Sequence, residues 1–233
     1  MAQPDLWAWF NQIIDALVYY LAVLSIAVPL TLRWRSPLVL ASLYVASYTI
    51  SQYTSAKLTS FLWFTVPGGN VSFVATVVLM DLIVVLYGPG TARIVILSGF
   101  LSQILLLLAN FLTINTPDVG SEYGWKWAVY GVSARVALAS PLAYLASETL
   151  NAHLTWVYRR IWWARTMYSD PISLTIDTLI FIPIAFYGEV SQEILFDMIV
   201  GLALLKLTLI PINLFAVYIA RRFIEHRSRL VRI

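Results

Sequence analysis

The chain contains no cysteine, which excludes a disulfide framework and any thiolate metal site. It has only two histidines, His153 and His226, too few for a His-rich catalytic or metal cluster. Charge is scarce: 12% of the 233 residues are Asp, Glu, Lys or Arg, about half of the ~25% usual in a soluble domain. There is no Gly-x-Ser-x-Gly, no His-Glu-x-x-His and no Gly-rich phosphate loop of the Walker type. A serine hydrolase, a zinc protease and a chain that powers itself with ATP are therefore disfavoured, no cofactor is implied, and a non-enzyme is expected. Residues 1–5 lack a basic stretch, and the first apolar run is longer than a signal-peptide core, so no cleavable leader is expected.

Apolar residues fill the space that charge leaves. They make up 60% of the chain, and mean hydropathy is +0.80. A membrane helix needs about 20 mostly apolar residues to cross roughly 30 Å of hydrocarbon. Seven segments qualify: 7–32, 37–61, 71–87, 91–114, 127–157, 172–187 and 194–223. Proline, glycine and charge separate them, as in Arg33-Trp34-Arg35-Ser36-Pro37, Val66-Pro67-Gly68-Gly69-Asn70, Gly88-Pro89-Gly90 and Ser169-Asp170-Pro171. Transmembrane strands would be shorter and would alternate, so the pattern predicts an all-α integral membrane protein, a bundle of about seven transmembrane helices. One transmembrane domain over 1–233 is expected, with a basic tail at 224–233.

Lys and Arg placement sets orientation. With seven crossings, Arg33, Arg35, Arg93, Arg159, Arg160, Arg165 and the tail arginines Arg221, Arg222, Arg227, Arg229 and Arg232 share one side. The other side carries at most Lys126 and Lys57, with the acidic residues Asp5, Asp118, Glu122, Glu189 and Glu193. The N-terminus is thus expected outside and the C-terminus in the cytoplasm of a plasma-membrane protein. The basic tail fits anionic headgroups, so the lipid bilayer is the expected partner of that charge, and no nucleic acid is.

Ionisable groups inside membrane helices cost at least about 2.5–3.5 kcal/mol each at mid-bilayer and mark candidate sites. Asp177 and Lys206 fall at similar depth near the midplane, where they can neutralise each other; such a pair can be architectural as well as ligand-binding. Asp81 and Glu148 fall in the inner half, and carboxylates have short stems that reach the interface poorly. Lys57 and Arg135 fall in the outer half, where they reach either solute or headgroups. Asp15 and Asp197 are expected at the interface. Ser140, Tyr144, Glu148 and Asn151 are spaced 4, 4 and 3 apart and share one helix face. That stripe lines either a packed interface or a solute cavity. A hydroxyl, phenol, carboxylate and amide together suit a flat, nucleobase-like small molecule, because a carboxylate accepts two parallel N–H bonds from an amino-amide edge.

Five ordered blocks carry a family resemblance. They are Ser55-Ala56-Lys57-Leu58 with Gly68-Gly69-Asn70-Val71-Ser72-Phe73, then Asp81 through Tyr87-Gly88 with Ala92-Arg93, then Arg135 through Ser140 with Ala143-Tyr144, then Ile176-Asp177-Thr178 through Phe186, and finally Lys206. Together they resemble the queuosine precursor transporter family, also called the vitamin uptake transporter family, over residues 45–220. Glu148 and Asn151 stand where that family carries a glutamine and an aspartate, and 7–32 resembles a helix added to a six-helix core (36–223). The resemblance implies import of a 7-deazaguanine base, the 7-cyano or 7-aminomethyl form, as a precursor of modified tRNA nucleosides. It implies a substrate site drawn from Lys57, Asn70, Phe73, Asp81, Arg135, Ser140, Tyr144, Glu148, Asn151, Asp177 and Lys206. A stand-alone secondary transporter is expected, with Asp81, Glu148 and Asp177 as the protonatable set. The alternative is the substrate-binding membrane subunit of an ATP-driven importer. Such a subunit needs a small-residue face, and Ala16, Ala22 and Ala27 are not at clean four-residue spacing. A homo-oligomer is compatible with either reading.

Overall fold

The computed structural model describes residues 6–55, 57–114 and 134–230. Among the described residues there are six helices: α1 (Leu6–Trp34), α2 (Leu38–Ser55), α3 (Asn70–Ile114), α4 (Ala134–Val157), α5 (Trp162–Phe186) and α6 (Gln192–Leu230). Two short antiparallel strands, β1 (Leu58–Phe61) and β2 (Phe64–Pro67), lie between α2 and α3. Lys126 and the start of the expected segment 127–157 lie outside the described residues.

The chain is an all-α membrane protein apart from that hairpin. Among the described residues, four helices are long and apolar enough to cross a membrane. The side-chain distribution agrees with lipid as solvent. Along the C-terminal part of α3, the large apolar side chains Ile94, Leu97, Leu101, Leu105, Leu108 and Leu112 are exposed at helical spacing, as are Leu17, Val18 and Leu21 of α1. Contiguous apolar surface of this kind is unfavourable in water and ordinary against acyl chains. Polar side chains instead sit inside.

Helix α3 contains two of the expected segments. Gly88 breaks it, with φ of 83° and ψ of 172°, a left-handed conformation that glycine adopts without steric cost. The chain doubles back there. Phe73, before the break, packs against Tyr48, and Tyr48 stacks on Tyr144. Ile96, after the break, accepts a hydrogen bond from the same Tyr144 (3.2 Å). On a straight helix, residues 73 and 96 would stand about 35 Å apart at 1.5 Å per residue. The arm before the break forms the centre of the bundle, since every residue from 72 to 84 is buried. A helix buried on all faces is apolar all round, and this run of valine, leucine, methionine and isoleucine is so except at Ser72, Thr76 and Asp81.

Three boundaries differ from the sequence expectation. The second segment was expected to run to 61, but α2 stops at Ser55, and Leu58–Pro67 forms the hairpin. Thr59, Phe61, Phe64, Thr65 and Val66 are strand-favouring residues that an apolar count reads as helix. Asp170 and Pro171 were expected to precede the sixth segment, yet they lie inside α5, which begins at Trp162. Membrane helices accommodate internal proline by local adjustment and by neighbouring polar groups. The expected tail at 224–233 is helical as far as Leu230.

Helix α1 is fixed to the rest by polar contacts at two levels. Near its start, Gln12 donates to the Ser60 carbonyl of β1 (2.6 Å). Further along, the Tyr20 hydroxyl donates to Asn213 of α6, whose amide donates to Asp170 of α5 (3.2 Å). The hairpin in turn presses on α6 at Gly201, where an added Cβ would overlap the Cβ and Cγ of Phe64. Because that neighbour is anchored close to the backbone, Gly201→Ala should destabilise the protein by about 1–3 kcal/mol, the usual cost of overpacking. Thermal unfolding in detergent should show a lower midpoint, with a wild-type midpoint counting against this account of the hairpin.

Candidate functional site

At the centre of the bundle, Lys206 of α6 donates to Asp177 of α5 at 2.5 Å, and the two side chains are only 3% and 10% exposed. The sequence expectation of opposite charges at one depth is thus met by direct contact. Ser147 of α4 donates to the other Asp177 oxygen (3.3 Å), and the Lys206 ammonium lies 4.9 Å from the centre of the Phe73 ring, a cation–π distance. One charge pair therefore joins α3, α4, α5 and α6.

A second layer lies beside it. Gln52 of α2 donates to the Ser140 hydroxyl of α4 (2.5 Å), and the Tyr48 hydroxyl donates to the Ser140 carbonyl (3.1 Å). The Tyr48 and Tyr144 rings stack with centroids 4.1 Å apart and planes 15° from parallel. Between this layer and the ion pair is a small cavity of about 40 Å3, lined by Gln52, Asn70, Phe73, Ser140, Asp177 and Lys206 among others. That is room for water and far less than the roughly 300–1,000 Å3 of a ligand pocket. The conformation is closed.

Beyond the stacked tyrosines, Glu148 is buried beside Tyr44 and Asn151. The Tyr44 hydroxyl and the Asn151 amide face the Glu148 carboxylate and interact with it, yet the Tyr44 hydroxyl, Glu148 Oε2 and Asn151 Nδ2 each fall short of a well-formed hydrogen bond. An unmade bond at a buried polar atom costs about 1–3 kcal/mol, so three such atoms converging in one place ask for a ligand or ordered water. Further toward the arginine-bearing end, Thr155 donates to Asp81 (2.9 Å) and lies 3.1 Å from Ser169. Ser169 also bonds the Asn151 carbonyl (3.1 Å) and its side-chain oxygen.

The structure thus brings together Asn70, Phe73, Ser140, Tyr144, Glu148, Asn151, Asp177 and Lys206 around one axis, with Asp81 one layer away. Two residues stand apart. Arg135 pairs with Glu189 (3.2 Å) near the ends of α4 and α5, both largely exposed. Lys57 is exposed beside the hairpin, in a separate and larger cavity. Sequence reasoning missed Tyr44, Tyr48, Gln52 and Ser147. The first three are spaced 4 and 4 along α2; the stripe argument used for α4 would have found them.

A helical membrane bundle with charged and polar groups gathered at its centre is the architecture of a small-molecule transporter. The chain belongs to a family described as putative vitamin uptake transporters, whose model matches residues 67–220. It is 27% identical over 169 residues to the protein named "Probable queuosine precursor transporter" of Bacillus subtilis (strain 168), covering 69% of this chain and 74% of that one. No solved structure matches the chain.

The buried pair allows a direct test. Lys206→Met alone or Asp177→Asn alone leaves one polar or charged group without its partner and should cost about 3–5 kcal/mol; changing both should cost clearly less than the sum. A double-mutant cycle on unfolding in detergent checks this, and strict additivity would mean that the two groups are not coupled.

Proposed function

We propose that this chain is a stand-alone importer of a 7-deazaguanine-type base, in the 7-cyano or 7-aminomethyl form. The observation that carries the reading is the convergence of Glu148 Oε2, the Tyr44 hydroxyl and Asn151 Nδ2, all buried, facing one another and none well bonded. A base with an amino-amide edge supplies two N–H donors to a carboxylate and a carbonyl for an amide or phenol donor. The stacked Tyr48 and Tyr144 rings supply aromatic faces for the same flat solute. In this reading the two tyrosines close on each other when the site is empty and separate to admit the base. Ser140, Gln52 and Asn70 complete the polar lining. Asp177 and Lys206 hold the bundle at the midplane around which access alternates.

The polypeptide crosses the membrane seven times in this proposal, with the two arms of α3 as separate crossings. The N-terminus is outside and the C-terminus in the cytoplasm, following the arginines. The name of the Bacillus subtilis relative supports the solute class. Stand-alone action is supported by α1, whose Ala16 and Ala27 are fully buried within this chain and so are not offered to a partner subunit.

Uptake of labelled 7-aminomethyl-7-deazaguanine into cells lacking their own importer tests the proposal. Glu148→Gln should lower uptake or affinity by about 10- to 100-fold while the protein remains folded, the loss of a charge-assisted hydrogen bond of about 1.5–3 kcal/mol. Wild-type uptake no higher than that of empty cells, or full activity in Glu148→Gln, would sink it.

A further inference from the structure

A second, larger cavity lies at the hairpin end of the bundle. Its volume is about 540 Å3, within the range of small-molecule sites. It is walled by Gln12 and Asp15 of α1, by Tyr53 and Thr54 of α2, and by Lys57, Thr59 and the Pro67–Asn70 turn. Asp15 is five residues into the apolar span of α1, which begins at Phe10. Its exposed carboxylate is placed where it must meet water or headgroups rather than acyl chains. The hairpin stands level with Gln12 near the start of that span, and non-helical backbone beside a membrane span is tolerated where it is buried in protein or lines a water-filled space. Here it does both: Phe61 and Val66 are buried, and Thr59 and Pro67 face the cavity.

This cavity and the small central one share two wall residues, Pro67 and Asn70. The Asn70 amide donates to the Pro67 carbonyl at 2.5 Å, so a single clasped turn separates a roomy space, lined by Asp15, Lys57 and mostly apolar surface, from the ion pair. On the other side of that turn, an added Cβ at Gly69 would collide with the Ser51 carbonyl and the Ser55 hydroxyl. The turn is packed directly against α2.

We propose that the larger cavity is an entry vestibule and first docking site, built in part by α1, and that the Pro67–Asn70 turn is the barrier between it and the central site. The solute it takes is small, flat and polar. Its N–H donors face the Asp15 carboxylate, its acceptor faces the Lys57 ammonium, and its ring lies near Tyr53. The site gives α1, all of which precedes the family-matched residues, a part in solute capture. It rests on the proposed function for the identity of the solute, and on the geometry of this chain for the site.

The absence of cysteine makes a clean experiment available. Thr54→Cys places the chain's one thiol in the vestibule wall, and Val18→Cys places it on the apolar outer face of α1. A membrane-impermeant methanethiosulfonate added outside intact cells should label Thr54→Cys and leave Val18→Cys unlabelled. Saturating 7-aminomethyl-7-deazaguanine should slow that labelling about fivefold or more. In the cysteine-free chain, Asp15→Asn and Lys57→Met should each raise the KM of uptake about tenfold with little change in maximal rate, the signature of weakened capture. No external labelling of Thr54→Cys overturns the vestibule. Labelling that the base does not slow, in protein that binds the base by calorimetry, overturns docking there. Failure of the purified chain to bind the base overturns the proposed solute instead, and the labelling contrast still decides whether the vestibule is open to water.

Discussion

Within a bilayer, a buried charge must be neutralised by the protein itself, because no water is at hand to do it. In this chain the contact between Lys206 and Asp177 answers that constraint at the centre. Its geometry leaves little freedom elsewhere. The Asp177 carboxylate takes its second bond from Ser147, which sets the rotation of α4. The ammonium faces Phe73, which sets the depth of the central arm of α3. Tyr48 then packs on Phe73 and stacks on Tyr144, which places α2. Helix–helix association in lipid lacks the hydrophobic driving force available in water, so such polar contacts carry an unusually large share of the specification.

Much of this was legible beforehand, and for a physical reason. Depth in a membrane helix is nearly linear in residue number, so two residues on neighbouring helices can be matched by counting. That is how Asp177 and Lys206 were paired. Helical angle is equally countable, which is why Ser140, Tyr144, Glu148 and Asn151 fell on one face and are all buried. Counting failed where the backbone left the helix. Strand-formers between 58 and 67 are as apolar as a helix end, so the hairpin was invisible to hydropathy. Pro171 looked like a boundary because proline ends helices in water; in lipid the cost of exposed backbone keeps the helix going. Arg135 depended on its partner: Glu189 is close in space but 54 residues away, and nothing in local spacing announces it.

The polar groups are distributed in layers along the bundle axis rather than in one pocket. The cavity beside the hairpin is lined by Asp15 and Lys57, the centre holds a neutralised pair, and the layer around Glu148 holds groups that fall short of well-formed bonds. On the proposed function, a solute that reaches the Glu148 layer displaces the Tyr48–Tyr144 stack. The energetic difference between empty and loaded forms therefore resides in aromatic contacts and hydrogen bonds of about 1 kcal/mol each. The ion pair can stay closed throughout.

The order of residues along the chain has a bearing on how the protein is made. Asp177 enters the membrane 29 residues ahead of Lys206, its partner, and the central arm of α3 emerges before α4, α5 and α6, which come to enclose it. During synthesis, then, the innermost helix is lipid-facing and an acidic group awaits its counter-charge. The last helix to arrive, α6, supplies both the missing ammonium and the final wall. Assembly is completed from the C-terminus inward, so a ribosome that stopped within α6 before Lys206 would leave a bundle with the correct helices and an unneutralised core.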